Sequence, residues 1–189
     1  MEDISNSIVG DDIKLYKTIN AFLDIELPSS GRPLIICDID YTLIRPINNF
    51  EYFYHRLKKK PITETRARML AHEFLDSSIN LGHVKQSDPD GFKKMTEQIN
   101  KMDGDLIFLT ARHIMSRQKT MDDLNKAGID GQKYNIHYTG NIITKGEHIK
   151  LSNMNNGYDH VYFIDDQPAN IQSVIDHVPN AKCYLFKCM

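Results

Sequence analysis

Residues 33–44 read PLIICDIDYTLI, an apolar run that ends in two aspartates, Asp38 and Asp40, one residue apart. The uninterrupted run over 34–37 has the character of a strand covered on both faces. A carboxylate is costly inside such a strand, so the two acids mark its end, where the chain leaves the sheet. Further runs repeat the pattern: DLIFLTA (105–111), NIHYTG (135–140), HVYFID (160–165) and KCYLFK (182–187). Each is short, rich in β-branched or aromatic residues and followed by polar punctuation. Helical spacing fills the intervals. Phe92, Met95, Ile99 and Met102 recur behind Asp88 and Pro89, which suit an N-cap and a first helical position. A second helical stretch runs from Ile114 through Met121 and Leu124 to a stop at Gly128, and a third opens at Pro168 and carries Ile171, Val174, Ile175 and Val178. The alternation predicts an α/β fold: a Rossmann-like three-layer sandwich with a mostly parallel, five-stranded central sheet.

Two segments stand outside the alternation. Residues 12–27 place Ile13, Tyr16, Ile19, Phe22 and Leu23 on one side, which predicts an N-terminal helix packed on the sheet. Residues 45–87 follow the first strand as an insertion, with FEYFYHRLKKK and then Ala67, Leu70, Ala71, Phe74, Leu75 and Ile79 on one helical face. A small helical cap or insertion is expected there, within a single domain spanning 1–189.

Composition narrows the function. The chain has 189 residues, 41% of them hydrophobic, and 23 basic against 25 acidic residues give a net charge of -2. That balance offers no global electrostatic case for a nucleic-acid or membrane-surface partner. The opening MEDISNSIVGDD lacks a basic n-region and no apolar run reaches membrane-spanning length, so a soluble, cytoplasmic protein is expected. Cys37, Cys183 and Cys188 have no metal-ligand spacing, and neither do the eight histidines.

Two neighbouring, partly desolvated carboxylates repel, and such a pair calls for a cation or a role in proton transfer. For a lone DxD, a turn capped by Asp40 is the simpler reading. Here DIDYT is accompanied by Thr110 at the end of the second run, Lys145 after the third and Asp165-Asp166 at the end of the fourth. Acid pair, hydroxyl, ammonium and acid pair, each at a strand end, are the parts of a phosphate-handling site. Taken singly, Thr110 reads equally as a helix cap, Lys145 as a solvated helix-start lysine and Asp165-Asp166 as turn residues ahead of Pro168.

In these motifs the sequence resembles the haloacid dehalogenase superfamily, specifically its aspartate-nucleophile phosphatases. DIDYT is similar to the first motif, FLTAR (108–112) to the second, TKGEHI (144–149) to the third and FIDDQPANI (163–171) to the fourth. The resemblance covers residues 33–44 and 90–189, and within the superfamily it is nearest to a poorly characterised acid phosphatase-like group with an N-terminal helix, KGE in the third motif and DD in the fourth.

The resemblance implies a magnesium-dependent phosphomonoesterase. Asp38 would be the nucleophile that forms an aspartyl-phosphate, and Asp40 the general acid and base. Thr110 and Lys145 would hold the phosphoryl group, with Arg112 in support, and Thr42 would order the loop around Asp40. Magnesium would be held by Asp38, the Asp40 backbone carbonyl and a fourth-motif carboxylate; Asp166 is favoured as the direct ligand and Asp165 as the outer contact, with the choice between them open. A phosphorylated small molecule is the expected substrate. A phosphatase for nucleic-acid ends or phosphoproteins is the alternative, to which Arg56, Lys58, Lys59 and Lys60 and the neighbouring Tyr52, Phe53 and Tyr54 would contribute; on the simpler reading the basic cluster is a solvated helix end and the aromatics are packing. A non-catalytic binding module of the same fold is the third reading, opposed by the intact motif residues.

Overall fold

From residue 89 onward the chain alternates helix and strand, as a computed structural model describing residues 15–187 lays out. In chain order the elements begin with β1 (Tyr16–Ile19), β2 (Pro33–Cys37) and β3 (Ile44–Pro46), then α1 (Phe50–Leu57), α2 (Glu64–Asn80) and β4 (Val84–Gln86). There follow α3 (Pro89–Lys101), β5 (Asp105–Thr110), α4 (Arg117–Lys126), β6 (Asn135–Tyr138), α5 (Lys145–Leu151), β7 (His160–Asp165), α6 (Pro168–His177) and β8 (Ala181–Phe186). A six-stranded sheet has the order β1-β8-β7-β2-β5-β6, parallel at every pairing. This is the α/β, Rossmann-like architecture expected, with one strand more.

That strand corrects the reading of residues 12–27. The segment is not a helix: Tyr16–Ile19 pairs with β8, Tyr16 opposite Cys183 and Ile19 opposite Phe186, and a single 3₁₀ turn, Phe22–Asp24, follows. Residues 12–14, including Ile13, lie outside the described residues. Asp24 turns its carboxylate back onto the backbone N–H groups of Asn20 and Ala21, which fixes the start of this turn.

Alternation along the strands divides the core between the two faces of the sheet. Ile35, Cys37, Phe108, Tyr162 and Ile164 point to one face, beneath Phe92, Met95, Ile99 and Leu124 of α3 and α4. Leu34, Ile36, Leu109 and Phe163 point to the other, against Ile149, Ile171 and Val174 of α5 and α6. Both faces being covered, the central strands are apolar throughout, and β2 has no exposed residue. The signals for α3 act as expected: Asp88 accepts from Gly91 N at 3.0 Å, Pro89 opens the helix, and the other Asp88 oxygen takes Phe22 N at 2.9 Å.

Residues 45–87 hold α1, α2 and most of an antiparallel β3–β4 pair. The helices share a small core of Tyr54, Ala67 and Ala71, while Ile44, Ile79 and Val84 join the core of the main sheet. The predicted apolar face of α2 is only partly used: Ala67, Ala71 and Ile79 are buried, Leu70 and Leu75 are half-buried, and Phe74 is exposed.

Candidate active site

From β2 the chain crosses over to β5 on one side and later to β7 on the other. The sheet reverses its order at this point, and in open parallel sheets ligands bind in the crevice outside such strand ends. Asp38 follows β2 directly, its backbone N–H donating to Ile164 O of β7 at 2.9 Å, and Asp165 ends β7. Thr110 ends β5 and is buried, with its carbonyl accepting from Thr139 N at 3.0 Å.

Lys145 occupies the centre. It starts α5, capped by Thr144, which accepts from Glu147 N while the Glu147 carboxylate returns to Thr144 N at 2.8 Å. Next to it Gly146 lies against α6, where a Cβ would come within 2.0 Å of the Ser173 carbonyl oxygen. Only glycine permits this approach, which brings the start of α5 over the sheet edge. The Lys145 ammonium, 2% exposed, donates to Asp38 Oδ1 and to Asp165 Oδ2 at 2.7 Å. It is no solvated helix-start lysine.

The two acids of the fourth motif sit differently. Both Asp165 oxygens are committed, Oδ1 to Gln167 N at 2.8 Å and Asn170 Nδ2 at 3.0 Å, Oδ2 to Lys145 and again to Asn170 at 3.1 Å. Asp166 is half-buried and takes the Gln167 side-chain amide at 2.8 Å on one oxygen. Asp38, Asp165 and Asp166 each offer an oxygen within 4.8 Å of the others. Three carboxylates beside one ammonium form an oxygen-only donor set with an excess of negative charge, which fits a hard cation such as magnesium. The charge excess also appears in their proton affinities. Burial pushes the Asp38 carboxyl well above the usual carboxylate range, Lys145 pulls it back, and Asp165 and Asp40 push again in the burial direction. Asp166 is raised to about 6 by burial and by Asp165. Burial works against the Lys145 charge, but Asp38 and Asp165 outweigh it and raise its pKa.

Asp40 belongs to a separate constellation. Both its oxygens are taken by Arg112, from Nε at 2.8 Å and Nη2 at 2.7 Å. The remaining arm, Nη1, donates to Asp123 Oδ2 at 2.8 Å and to Thr120 Oγ1 at 3.2 Å, both on α4. Lys119 also reaches Asp123 and donates to the Ile79 carbonyl of α2 at 2.9 Å, so the chain of contacts runs from Asp40 to the insertion. The loop between Asp40 and β3 is closed by backbone bonds, Tyr41 N to Ile44 O at 2.7 Å and Ile44 N to Ile39 O at 2.9 Å, with Tyr41 in the left-handed region at φ 61. Thr42 does not order it by hydrogen bonding: its buried hydroxyl has no partner among the described residues.

The fold and the site can be compared with known proteins. The chain belongs to the DUF2608 family. The model of that family, described as a protein of unknown function, matches residues 12–145, a span that contains Asp38, Asp40, Thr110, Arg112 and Lys145 but neither Asp165 nor Asp166. No curated protein matches this DUF2608 chain. Among solved structures it is similar to a Thermotoga maritima protein assigned as a beta-phosphoglucomutase, with a TM-score of 0.50 and 12% identity over 79% of this chain and 83% of that one. A haloacid dehalogenase-like family hydrolase of Streptococcus pneumoniae aligns with a TM-score of 0.47 and 12% identity, over 77% and 81% of the two chains. At this identity the likeness concerns the fold alone: the DUF2608 chain shares the α/β architecture of the Thermotoga protein.

Around the motif residues this DUF2608 member places side chains that the motifs do not contain. Thr120 and Asp123 hold Arg112, and within the fourth motif Asn170, which the sequence analysis did not single out, holds Asp165. Thr120 and Asp123 carried a signal, because they share the buried face of α4 with Leu124, a position where an acid needs a partner. Among the described residues no helix is long and apolar enough to cross a membrane.

Proposed function

We propose that this chain is a magnesium-dependent phosphomonoesterase of the acid phosphatase-like kind, acting on a phosphorylated small molecule through an aspartyl-phosphate. The observation that carries this reading is the placement of Asp38 at the strand-order reversal, with Lys145 on one carboxylate oxygen and no hydrogen bond to the other among the described residues.

The Asp38 oxygen left open attacks phosphorus while the bond from phosphorus to the leaving alkoxide breaks, and Asp40 supplies the proton the alkoxide needs. Water then attacks the aspartyl-phosphate, Asp40 takes the water proton, and the bond between phosphorus and Asp38 breaks to release inorganic phosphate. Lys145 offsets the charge of the nucleophile before attack and that of the phosphoryl oxygens during it, and Thr110 is the hydroxyl donor to those oxygens. Asp38 and Asp166 would hold magnesium, with the Asp40 carbonyl; the cation supplies charge neutralisation at the phosphoryl group. Asp165, its oxygens already committed, orients Lys145 and lies outside the direct ligands. Arg112 holds the Asp40 carboxylate in place instead of binding phosphate. Residues 45–87 act as a small cap, tied to the catalytic loop by Tyr41 OH donating to Asp76 at 3.3 Å.

Hydrolysis of phenyl phosphate by wild type and Asp38→Asn, each with magnesium and with a chelator, tests the reading. Turnover that needs both Asp38 and magnesium is expected. Equal turnover by Asp38→Asn, or no magnesium binding by the folded wild type, would overturn it.

A further inference from the structure

Arg112, which holds Asp40, is itself held from behind, and that grip reaches the insertion. Its Nη1 donates to Asp123 Oδ2 at 2.8 Å, and the same oxygen takes the Lys119 ammonium. Asp123 is 1% exposed, and a carboxylate so buried is tolerated only when paired. Lys119 stands nearer solvent, 38% exposed, and donates also to the Ile79 carbonyl at 2.9 Å. Ile79 lies in the last turn of α2, where carbonyls lose their helical partners and the negative end of the helix dipole gathers. That turn has no basic residue of its own, and Lys119 is the cation it lacks. Just beyond, Gly82 at φ 70 lies over the same carboxylate: a Cβ there would come within 2.8 Å of Asp123 Oδ1 and 2.6 Å of Lys126 Nζ. Only a glycine lets the end of α2 sit so close. A second contact comes from the front, where Tyr41 OH, next to Asp40 in sequence, donates to Asp76 at 3.3 Å. Asp76 and Ile79 are three residues apart and share one side of α2. One side of this helix therefore touches both the catalytic loop and the support of Arg112.

We infer that the seating of α2 and the placement of the Asp40 carboxylate are linked, with Lys119 and Asp123 as the positioning residues that carry the link. A guanidinium is planar and rigid, so a shift at Nη1 turns Nε and Nη2 with it, and these two hold Asp40. An insertion seated over the site thus sets the proton donor, and one that lifts releases it. Proton transfer is confined to the closed arrangement. The inference rests on the phosphatase reading for this chemical meaning, while the link itself stands on the contacts alone.

The test uses the magnesium-loaded full chain and two esters, phenyl phosphate and para-nitrophenyl phosphate. Their kcat/KM values report the steps through departure of the leaving group, and para-nitrophenolate needs a proton less than phenolate does. In Lys119→Met the ratio of kcat/KM for the nitrophenyl ester to that for the phenyl ester should rise about tenfold, a fraction of what a general acid contributes. Gly82→Ala, which disturbs the end of α2 and leaves Lys119 in place, should raise the ratio in the same direction. Lys119→Arg keeps the cation and should bring the ratio back to within about twofold of wild type. A second measurement needs no turnover: NMR exchange of the Arg112 Nε proton with water should quicken about fivefold in Lys119→Met, as the anchor at Nη1 loosens. Unchanged Nε exchange in folded Lys119→Met, or an equal loss on the two esters, would overturn the inference. Should wild type hydrolyse neither ester, faster exchange in Lys119→Met would uphold the link and count against the phosphatase reading instead.

Discussion

Arg112 closes on Asp40 with two of its nitrogens, Nε on one carboxylate oxygen at 2.8 Å and Nη2 on the other at 2.7 Å. A planar fork matches a carboxylate in a way a lysine ammonium cannot. Burial works against the guanidinium charge, yet Asp40 and Asp123 raise the pKa of Arg112, so the guanidinium stays charged. Arg112→Lys keeps the charge and loses the geometry. It should lower kcat about 100-fold, the scale of a misplaced catalytic group, with KM within about twofold. Steady-state kinetics on phenyl phosphate decide: a raised KM with unchanged kcat would return Arg112 to a phosphate-binding role.

Lys145 is the only cation among the buried acids Asp38 and Asp165 in the described structure. Lys145→Met leaves two buried carboxylates without their partner and should cost about 3–5 kcal/mol of stability in chelator. Magnesium should restore part of the loss. Urea unfolding with and without the cation reads both.

In the proposed site, direct metal contact would separate the paired acids of the fourth motif. Asp166→Asn should weaken magnesium binding at least tenfold and leave the metal-free melting temperature near that of wild type. Asp165→Asn should do the reverse in kind, lowering metal-free stability through Lys145 and Asn170. Calorimetric titration of magnesium and thermal melts in chelator report the two effects.

Gly146→Ala should destabilise the chain by about 1–3 kcal/mol, because the added methyl meets the Ser173 carbonyl and one of α5 and α6 must move. As Lys145 moves with α5, kcat should fall further than partial unfolding explains. Ser173→Ala should not rescue the variant, the obstruction being backbone. Activity normalised to the folded fraction is the measurement.

His137 and His148 face each other, with ring nitrogens 3.4 Å apart. Burial lowers the pKa of both from 6.5, and for His137 the neighbouring His148 adds to the effect. A depressed folded pKa favours the neutral ring in the native state. The pair's contribution to stability is therefore complete above about pH 6.5 and is lost as pH falls through the folded values. NMR titration of the ring protons should find both below the unfolded value. An inflection above 6.5 for either would refute this.

Much of the site was legible in the sequence because it is built from strand ends, and strand ends are marked by where apolar runs stop. Asp38, Thr110 and Asp165 are each the last or next residue of a run with two covered faces, and the run itself announces them. Lys145 was legible through its place after the third run and the likeness of TKGEHI to the third motif. The bond between Arg112 and Asp40 was not, since it joins residues distant in sequence and depends on α4 presenting Thr120 and Asp123 from behind. The N-terminal segment misled because Tyr16, Ile19, Phe22 and Leu23 fit a helical period, while the partner that makes Tyr16–Ile19 a strand lies at the other end of the chain.

That pairing has a consequence for how the molecule is made. Once β2 is present, β5, β6, β7 and β8 emerge in an order that lets each dock beside a strand already made, but β1, synthesised before them all, is an edge strand on β8, the last. Until β8 appears, β1 has no place in the sheet. Its closure carries the largest loop entropy in the fold and comes late in folding. The segment from Tyr16 to Asp24, which delivers Phe22 to the core and its N–H to Asp88, is therefore a final clasp: fraying there should precede global unfolding.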